Sequence, residues 1–161
     1  MNGNLLSWRL LWLILLAYLT ALPVAAAAEP LRFETSPLSV VTATGRHDFT
    51  VELALTLQQR ARGLMFRQRL AVDAGMLFDF GSPERVAMWM KNTLIPLDMI
   101  FIKSDGIIAN IASGTTPLSL APVPSNGPVR GVLEVRAGTA ARLGIRPGDR
   151  VRHPIFKVNK D

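Results

Sequence analysis

The chain has 161 residues, a formal net charge of +6 at pH 7 and no cysteine. The absence of cysteine excludes a disulfide framework, a thiolate zinc site, a cysteine nucleophile and a lipid-anchored N-terminal cysteine. Because the basic residues are scattered along the chain, the charge predicts a solvated basic surface and no nucleic-acid partner.

The N-terminal segment, residues 1–28, predicts a secretory signal peptide. A short region with one arginine precedes an apolar run over Leu10–Leu22, and four alanines then supply a small-residue cleavage site. We expect cleavage after Ala28, which leaves residues 29–161 as a single β-rich domain in the bacterial periplasm or outside the cell. The alternative is an uncleaved membrane anchor, since the apolar stretch approaches spanning length, although Pro23 interrupts it.

Alternation of apolar and polar residues opens the predicted domain. Residues 49–55 place apolar side chains at every second position, which predicts a strand with one buried face, and residues 38–43 are expected to pair with it. Thr56 followed three residues later by Gln59 is a capping-box pattern, which predicts a short helix ended by Gly63. A helix this short is not stable alone, so we expect it to pack on the sheet.

Short strands and turns make up the rest of the domain. Further strands are predicted at residues 75–80, 86–90, 99–103, 107–112, 129–136 and 150–155. Asp105-Gly106 predicts a tight hairpin, residues 113–128 a proline-rich loop, and residues 139–143 a second short helix stopped by Gly144. Because long helices do not alternate with these strands, we expect a mainly β fold (α+β by strict count). This fold is a compact barrel- or sandwich-like antiparallel or mixed sheet with two short helices.

The least generic segment runs from Trp89 to Asp98 and reads Trp-Met-Lys-Asn-Thr-Leu-Ile-Pro-Leu-Asp. On a strand, Trp89 and Lys91 would share a face, which favours a cation–π contact or a ligand-facing pair. The indole suits either the core or a pocket wall. Asn92 and Thr93 suit either a turn or a ligand contact, and Asp98 suits either a buried acceptor or a pairing with Lys91.

At this point the chain resembles the DUF192 (UPF0127) family, whose members are uncharacterised. The motifs that carry the resemblance are Gly63–Arg67, Gly75–Phe78, Trp89–Asp98, Phe101-Ile102, Asp105-Gly106, Val132–Val135, Ala137-Gly138 and Gly148-Asp149. The Trp-Met-Lys-Asn-Thr block is the specific part. The resemblance implies a compact β-rich domain, often exported in bacteria, and it supplies no reaction, cofactor or catalytic residue.

Two functional hypotheses follow. The first is a non-enzymatic module that binds a small molecule or an envelope component in a pocket around Trp89, Lys91 and Asn92. The second is a cell-envelope hydrolase or lyase with Lys91 and Asp98 as the acid/base pair. We expect at least three of five residues to line one partly exposed pocket: Trp89, Lys91, Asn92, Thr93 and Asp98.

Two arginines near the end of the first helix, Arg62 and Arg67, are further ligand-binding candidates. An arginine at this position predicts a bidentate pairing, so we expect Arg67 to contact Asp79, Asp98 or an anionic ligand. No cofactor and no metal are expected. The two histidines have no partners at ligand spacing, and the methionines are predicted to fill the core rather than a soft-metal site.

Overall fold

The structure is a computed structural model, and it describes residues 30–156. The predicted signal segment, residues 1–28, lies outside these residues. None of the helices within residues 30–156 is both long enough and apolar enough to cross a membrane.

Nine strands and two helices follow one another along residues 30–156. In chain order they are β1 (Thr35–Thr42), β2 (Gly45–Ala54), α1 (Leu57–Arg62), β3 (Ala74–Glu84), β4 (Ala87–Met88), β5 (Leu97–Ile102), β6 (Ile108–Ala112), β7 (Val123–Pro124), β8 (Val129–Arg136), α2 (Thr139–Leu143) and β9 (Arg150–Arg152).

Seven strands form one curled, half-barrel sheet in the order β6-β5-β8-β3-β2-β1-β9, and β4 pairs with β7 in a small second sheet. Neighbouring strands of the large sheet are antiparallel, except that β2 and β3 are parallel. The two edges of the sheet touch at one isolated bridge, where the Val151 amide donates to the Gly106 carbonyl at 2.8 Å and the Ile108 amide to the Asp149 carbonyl at 2.9 Å. The predicted mainly β, mixed-sheet, barrel-like fold is confirmed.

Both faces of this sheet are buried, and they belong to different apolar clusters. The inner face carries residues such as Val40, Val51 and Leu133 from around the half-barrel, and it also packs against Ala140 of α2. The outer face is defined by residues of the middle strands and of the loops that cover them. These residues are Ala54, Leu64, Met76, Phe78, Val86, Met90, Leu97, Met99, Phe101, Val129 and Val132. The candidate site lies on the outer face.

The local predictions are confirmed where a side chain determines the backbone. The Thr56 hydroxyl accepts from the Gln59 amide and the Gln59 side chain accepts from the Thr56 amide, so the capping box is present. The predicted strand over residues 86–90 is present but shorter, because only the two residues of β4 find a partner strand. The chain turns at Met90, whose amide donates to a loop carbonyl and whose carbonyl accepts from the Thr93 amide.

Candidate functional site

A cleft of about 240 Å³ opens on the outer face, between α1, the loop after it and the segment around Trp89. Its apolar lining consists of Ala61, Gly63, Leu64, Met65, Phe78, Phe80, Ala87, Met88 and Trp89, and its polar lining of Arg60, Arg62, Thr93 and Glu134. Apolar walls with a few polar groups are the ordinary character of small-molecule sites, and this cleft lies just below their usual size range of roughly 300–1,000 Å³.

Glu134 is the unusual member of that lining. It lies within β8, directly between Met76 of β3 and Met99 of β5 in the strand register. Both methionines are fully buried and Glu134 is 4% exposed. Burial raises the pKa of Glu134 to about 8, and no residue among 30–156 supplies a compensating charge or hydrogen bond. At neutral pH the carboxyl is therefore mostly protonated, and it can donate one hydrogen bond into the cleft.

The mouth of the cleft is aromatic and positively charged. Trp89 is half exposed there and lines the cleft. Of the two roles that the sequence left open, core residue and pocket wall, it has the second. The Lys91 Nζ lies 5.3 Å from the centroid of the Trp89 ring, and the Arg62 Cζ lies 4.6 Å from the centroid of the Phe66 ring. The predicted cation–π contact of Lys91 with Trp89 is thus present. The cleft therefore has a neutral acid at its floor and cations at its mouth.

The structure brings three of the predicted site residues, Arg62, Trp89 and Thr93, to this cleft. Lys91 is exposed and outside the lining, and the Asn92 side-chain amide lies 3.9 Å from the Met65 sulfur. The cleft therefore contains two of the five residues from the Trp89–Asp98 segment, fewer than the three that we expected in one pocket.

The predicted acid/base pair of Lys91 and Asp98 is not formed. Asp98 is fully buried on the inner face, where its oxygens accept from the amides of Gly114 and Ala140, both at 2.9 Å. The alternation of β5 gives the reason: Leu97 and its second neighbour Met99 belong to the outer face, so the residue between them faces inward. Asp98 is a structural acceptor that ties a loop and the start of α2 to the sheet.

Arg67 pairs with a carboxylate as predicted, but the predicted partners are wrong. Its guanidinium forms a bidentate pair with Glu52, at 2.5 Å and 2.6 Å. Glu52 alternates with the inward-facing residues of β2, so it lies on the outer face within reach of the loop after α1. Asp79 pairs instead with Arg130 of the neighbouring strand, at 2.6 Å and 3.1 Å.

The ion pair with Arg130 also sets the charge state of the Asp79 carboxyl group. Burial alone would raise the pKa of Asp79, but the Arg130 guanidinium and the Gly81 amide outweigh it, and the pKa lies below its ordinary value of 3.8. Asp79 is thus ionised at neutral pH, in contrast to Glu134. The two carboxyl groups differ in their partners: Asp79 has Arg130 within hydrogen-bond distance, and Glu134 has no arginine that close among residues 30–156.

Sequence reasoning missed Glu134 as a site residue. Its signal is a carboxylate within the apolar run Val-Leu-Glu-Val of a strand that is otherwise buried. An unpaired charge at such a position is costly, so the side chain must find a partner or keep its proton. Within residues 30–156 no group of three or more histidines and acidic residues is placed to hold a metal ion.

A curled half-barrel sheet with one small, acid-floored cleft on its outer face defines this β-rich domain. The chain belongs to the DUF192 family, described as uncharacterized ACR, whose sequence pattern matches residues 39–153. A Sinorhizobium meliloti structure described as a candidate transcription regulator is 49% identical, with a TM-score of 0.76 over 78% of this chain and 98% of that one. A Novosphingobium aromaticivorans protein of unknown function is 42% identical, with a TM-score of 0.73 over 79% of this chain and 96% of that one. No curated protein matches the chain.

Proposed function

We propose that this protein is an exported binding module that holds a small uncharged molecule in the cleft between Glu134 and Trp89. The observation that carries the proposal is the buried Glu134 carboxyl, without a hydrogen-bond partner among residues 30–156, at the floor of an apolar cleft. Such a carboxyl binds a ligand oxygen as a hydrogen-bond donor, and it gains more from doing so than an exposed group because water is largely excluded.

The chemistry of the cleft selects against charged ligands. A cationic ligand would require Glu134 to release its proton in a buried site, and it would also meet Arg62 and Lys91 at the mouth. An anionic ligand could meet Arg62 at the mouth, but a charge placed at the floor would lie among apolar walls next to a neutral acid. A small molecule with an apolar body and a carbonyl, amide or hydroxyl oxygen meets neither cost.

Three probes that share one ring test this selection: benzamide, benzylammonium and benzoate. The methionine methyl groups of Met65 and Met88 line the cleft, so methyl-¹³C methionine NMR reports occupancy directly. We expect benzamide at pH 6 to shift these two signals most, and its affinity to fall as the pH rises past the pKa of Glu134, about 8.

Two variants separate the roles of the acid and the cleft. Glu134→Leu removes the donor and is expected to weaken benzamide binding about tenfold, the loss of one well-formed buried hydrogen bond. Glu84→Leu, at the exposed end of β3, is the matched control and should bind as the wild type does. Equal binding of the three probes, or unchanged benzamide affinity in Glu134→Leu, would remove the proposal.

A catalytic role is the second candidate, because an acid with a pKa near neutrality can also donate a proton to a reacting group. In a hydrolase or lyase of this kind, Glu134 would be the catalytic acid, in place of the pair of Lys91 and Asp98. Among the described lining residues Glu134 is the single carboxylate, and the Thr93 hydroxyl donates to the Lys91 carbonyl at 3.4 Å. A paired acid and base is therefore not in place, which favours binding.

The export part of the proposal rests on residues 1–28 alone. We expect protein recovered from the periplasmic fraction or the medium to begin at or within two residues of Glu29, from the small-residue rule for cleavage. Intact mass spectrometry measures this directly. Retention of Met1–Ala28 would change the proposal from a soluble exported protein to an anchored one.

A further inference from the structure

Five large apolar side chains are exposed on three loops beside the cleft. They are Phe66, Trp89, Leu94, Leu118 and Leu120, here called the loop patch, and their exposed fractions lie between 44% and 67%. Single exposed apolar residues are common, but a group of large ones on adjoining loops marks an interaction surface.

Backbone geometry shows that these loops form one unit. The Phe66 amide donates to the Asn92 carbonyl at 2.8 Å, and the Leu118 amide donates to the Thr93 carbonyl at 3.1 Å. Within residues 30–156 the non-glycine residues with positive φ are Phe66 (66°), Asn92 (55°) and Leu118 (63°), one in each loop. Phenylalanine and leucine rarely adopt this conformation, so the backbone is strained at two positions whose large apolar side chains are exposed.

Positive charge accompanies the exposed aromatic rings. Lys91 lies over Trp89 and Arg62 lies over Phe66, at the distances given above. Neither cation has a carboxylate partner among residues 30–156. The patch thus combines apolar loop tips with unpaired cations, on a chain whose net charge is +6.

We propose that the loop patch docks on a membrane surface rich in anionic lipid. The apolar side chains would enter the boundary between headgroups and acyl chains, and Lys91 and Arg62 would contact lipid phosphates. Trp89 suits this position because an indole has an apolar body and a polar N–H. The proposal depends neither on the cleft's ligand nor on whether residues 1–28 are cleaved.

Charge complementarity selects this partner over a second copy of the chain. A twofold dimer through the loop patch would bring Lys91 and Arg62 of one copy against the same cations of the other. Nucleic acid would account for the cations, but it would leave Leu118 and Leu120 without a role. An anionic lipid surface accounts for both the cations and the exposed leucines.

The experiment uses residues 29–161, with Trp89 as the single tryptophan. This part is expected to fold alone, because the two solved relatives match 78% and 79% of this chain over nearly their whole lengths, 98% and 96%. We expect co-sedimentation with phosphatidylglycerol-containing vesicles, accompanied by a blue shift of Trp89 emission. Pure phosphatidylcholine vesicles should bind much more weakly.

Conformation-matched variants test the apolar half of the patch. Asparagine tolerates positive φ, so Leu118→Asn and Phe66→Asn keep the backbone while removing the apolar side chain. Together they are expected to weaken vesicle binding at least about tenfold. Val72→Asn, at an exposed apolar residue outside the patch, is the control and should leave binding unchanged.

Charge variants test the other half. Lys91→Gln is expected to weaken binding to anionic vesicles about fivefold, as for one basic residue near a charged bilayer. Arg146→Gln, at an exposed arginine outside the patch, is the control. Both variants should keep the wild-type melting temperature, since neither side chain is buried.

Three results would overturn the proposal. One is wild-type vesicle binding in both Leu118→Asn and Lys91→Gln. Another is a dimer, measured by light scattering, that these variants disrupt while vesicles are not bound, which would make the patch an interface between copies. The third is binding of a DNA duplex that depends on Lys91 and not on Leu118, without vesicle binding. Loss of benzamide binding in Glu134→Leu bears on the cleft alone and leaves this test unaffected.

Discussion

Replacing Glu134 with glutamine should change how the stability of the protein depends on pH. The carboxyl is buried beside two methionines, and its pKa rises from the ordinary 4.5 to about 8. Between these two pH values the unfolded chain has released the proton and the folded chain has kept it. The folded state therefore binds more protons than the unfolded state, so the free energy of unfolding falls as the pH rises.

The expected magnitude follows from the two pKa values. Each pKa unit corresponds to about 1.4 kcal/mol, so the interval from pH 4.5 to pH 7 lowers the free energy of unfolding of the wild type by about 3 kcal/mol through Glu134. Glutamine has nearly the same shape and does not titrate. The difference in stability between Glu134→Gln and the wild type should therefore shift by about 3 kcal/mol in favour of the variant over that interval.

Urea unfolding of both proteins at several pH values measures this difference. Subtraction at each pH removes the contributions of other titrating groups, including His153, whose pKa is lowered by burial. Glu84→Gln, at the exposed end of β3, should follow the wild-type curve. If the curves of Glu134→Gln and the wild type run parallel from about pH 4.5 to pH 7, Glu134 does not hold its proton in the folded state and the proposed donor is lost.

The remaining predictions concern the structural contacts, and equilibrium unfolding measures each of them. Asp98→Asn should lower the free energy of unfolding by about 2–3 kcal/mol because it disturbs two buried amide contacts. Lys91→Ala should lower it by less than about 1 kcal/mol. If the double variant lost less stability than the two single losses added together, Lys91 and Asp98 would form an ion pair, which the geometry does not show. Arg67→Met and Glu52→Gln should each cost about 1 kcal/mol with a non-zero coupling energy, because their pair is bidentate but partly exposed. Gly106→Ala should cost more than about 2 kcal/mol, since φ is 82° and a Cβ would lie 2.5 Å from a carbonyl oxygen of β9. An unchanged melting temperature would mean that the sheet edges do not meet there.

The parts of the fold that the sequence predicts are those determined within a few residues. The capping box of Thr56 and the Asp105-Gly106 hairpin are local, and the structure contains both. The parallel pairing of β2 with β3 is not local. Alternation along a strand is the same for parallel and antiparallel neighbours, so no pattern in residues 49–55 or 75–80 distinguishes the two arrangements.

The candidate site is harder to predict from the sequence, because residues that are close in sequence need not be close in space. Trp89 and Thr93 do reach one cleft, since the chain turns back at Met90. Lys91 points to solvent at that turn. Asp98 comes after the chain has entered β5, where alternate side chains pass to opposite faces of the sheet. The segment therefore supplies a cleft wall, a surface cation and an inner-face acceptor rather than one site.

The same alternation accounts for both buried acidic side chains, although their neighbours differ. In the register of β5 and β8, Met99 lies opposite Glu134 and Asp98 lies opposite Val135. Paired residues share a face, so Asp98 faces inward and Glu134 outward. Asp98 meets two backbone amides on the inner face, whereas Glu134 meets methionine side chains and the cleft. The Asp98 carboxyl has its hydrogen-bond partners within the protein. Glu134 has none among residues 30–156, so its carboxyl keeps its proton and remains a hydrogen-bond donor for the ligand that we propose.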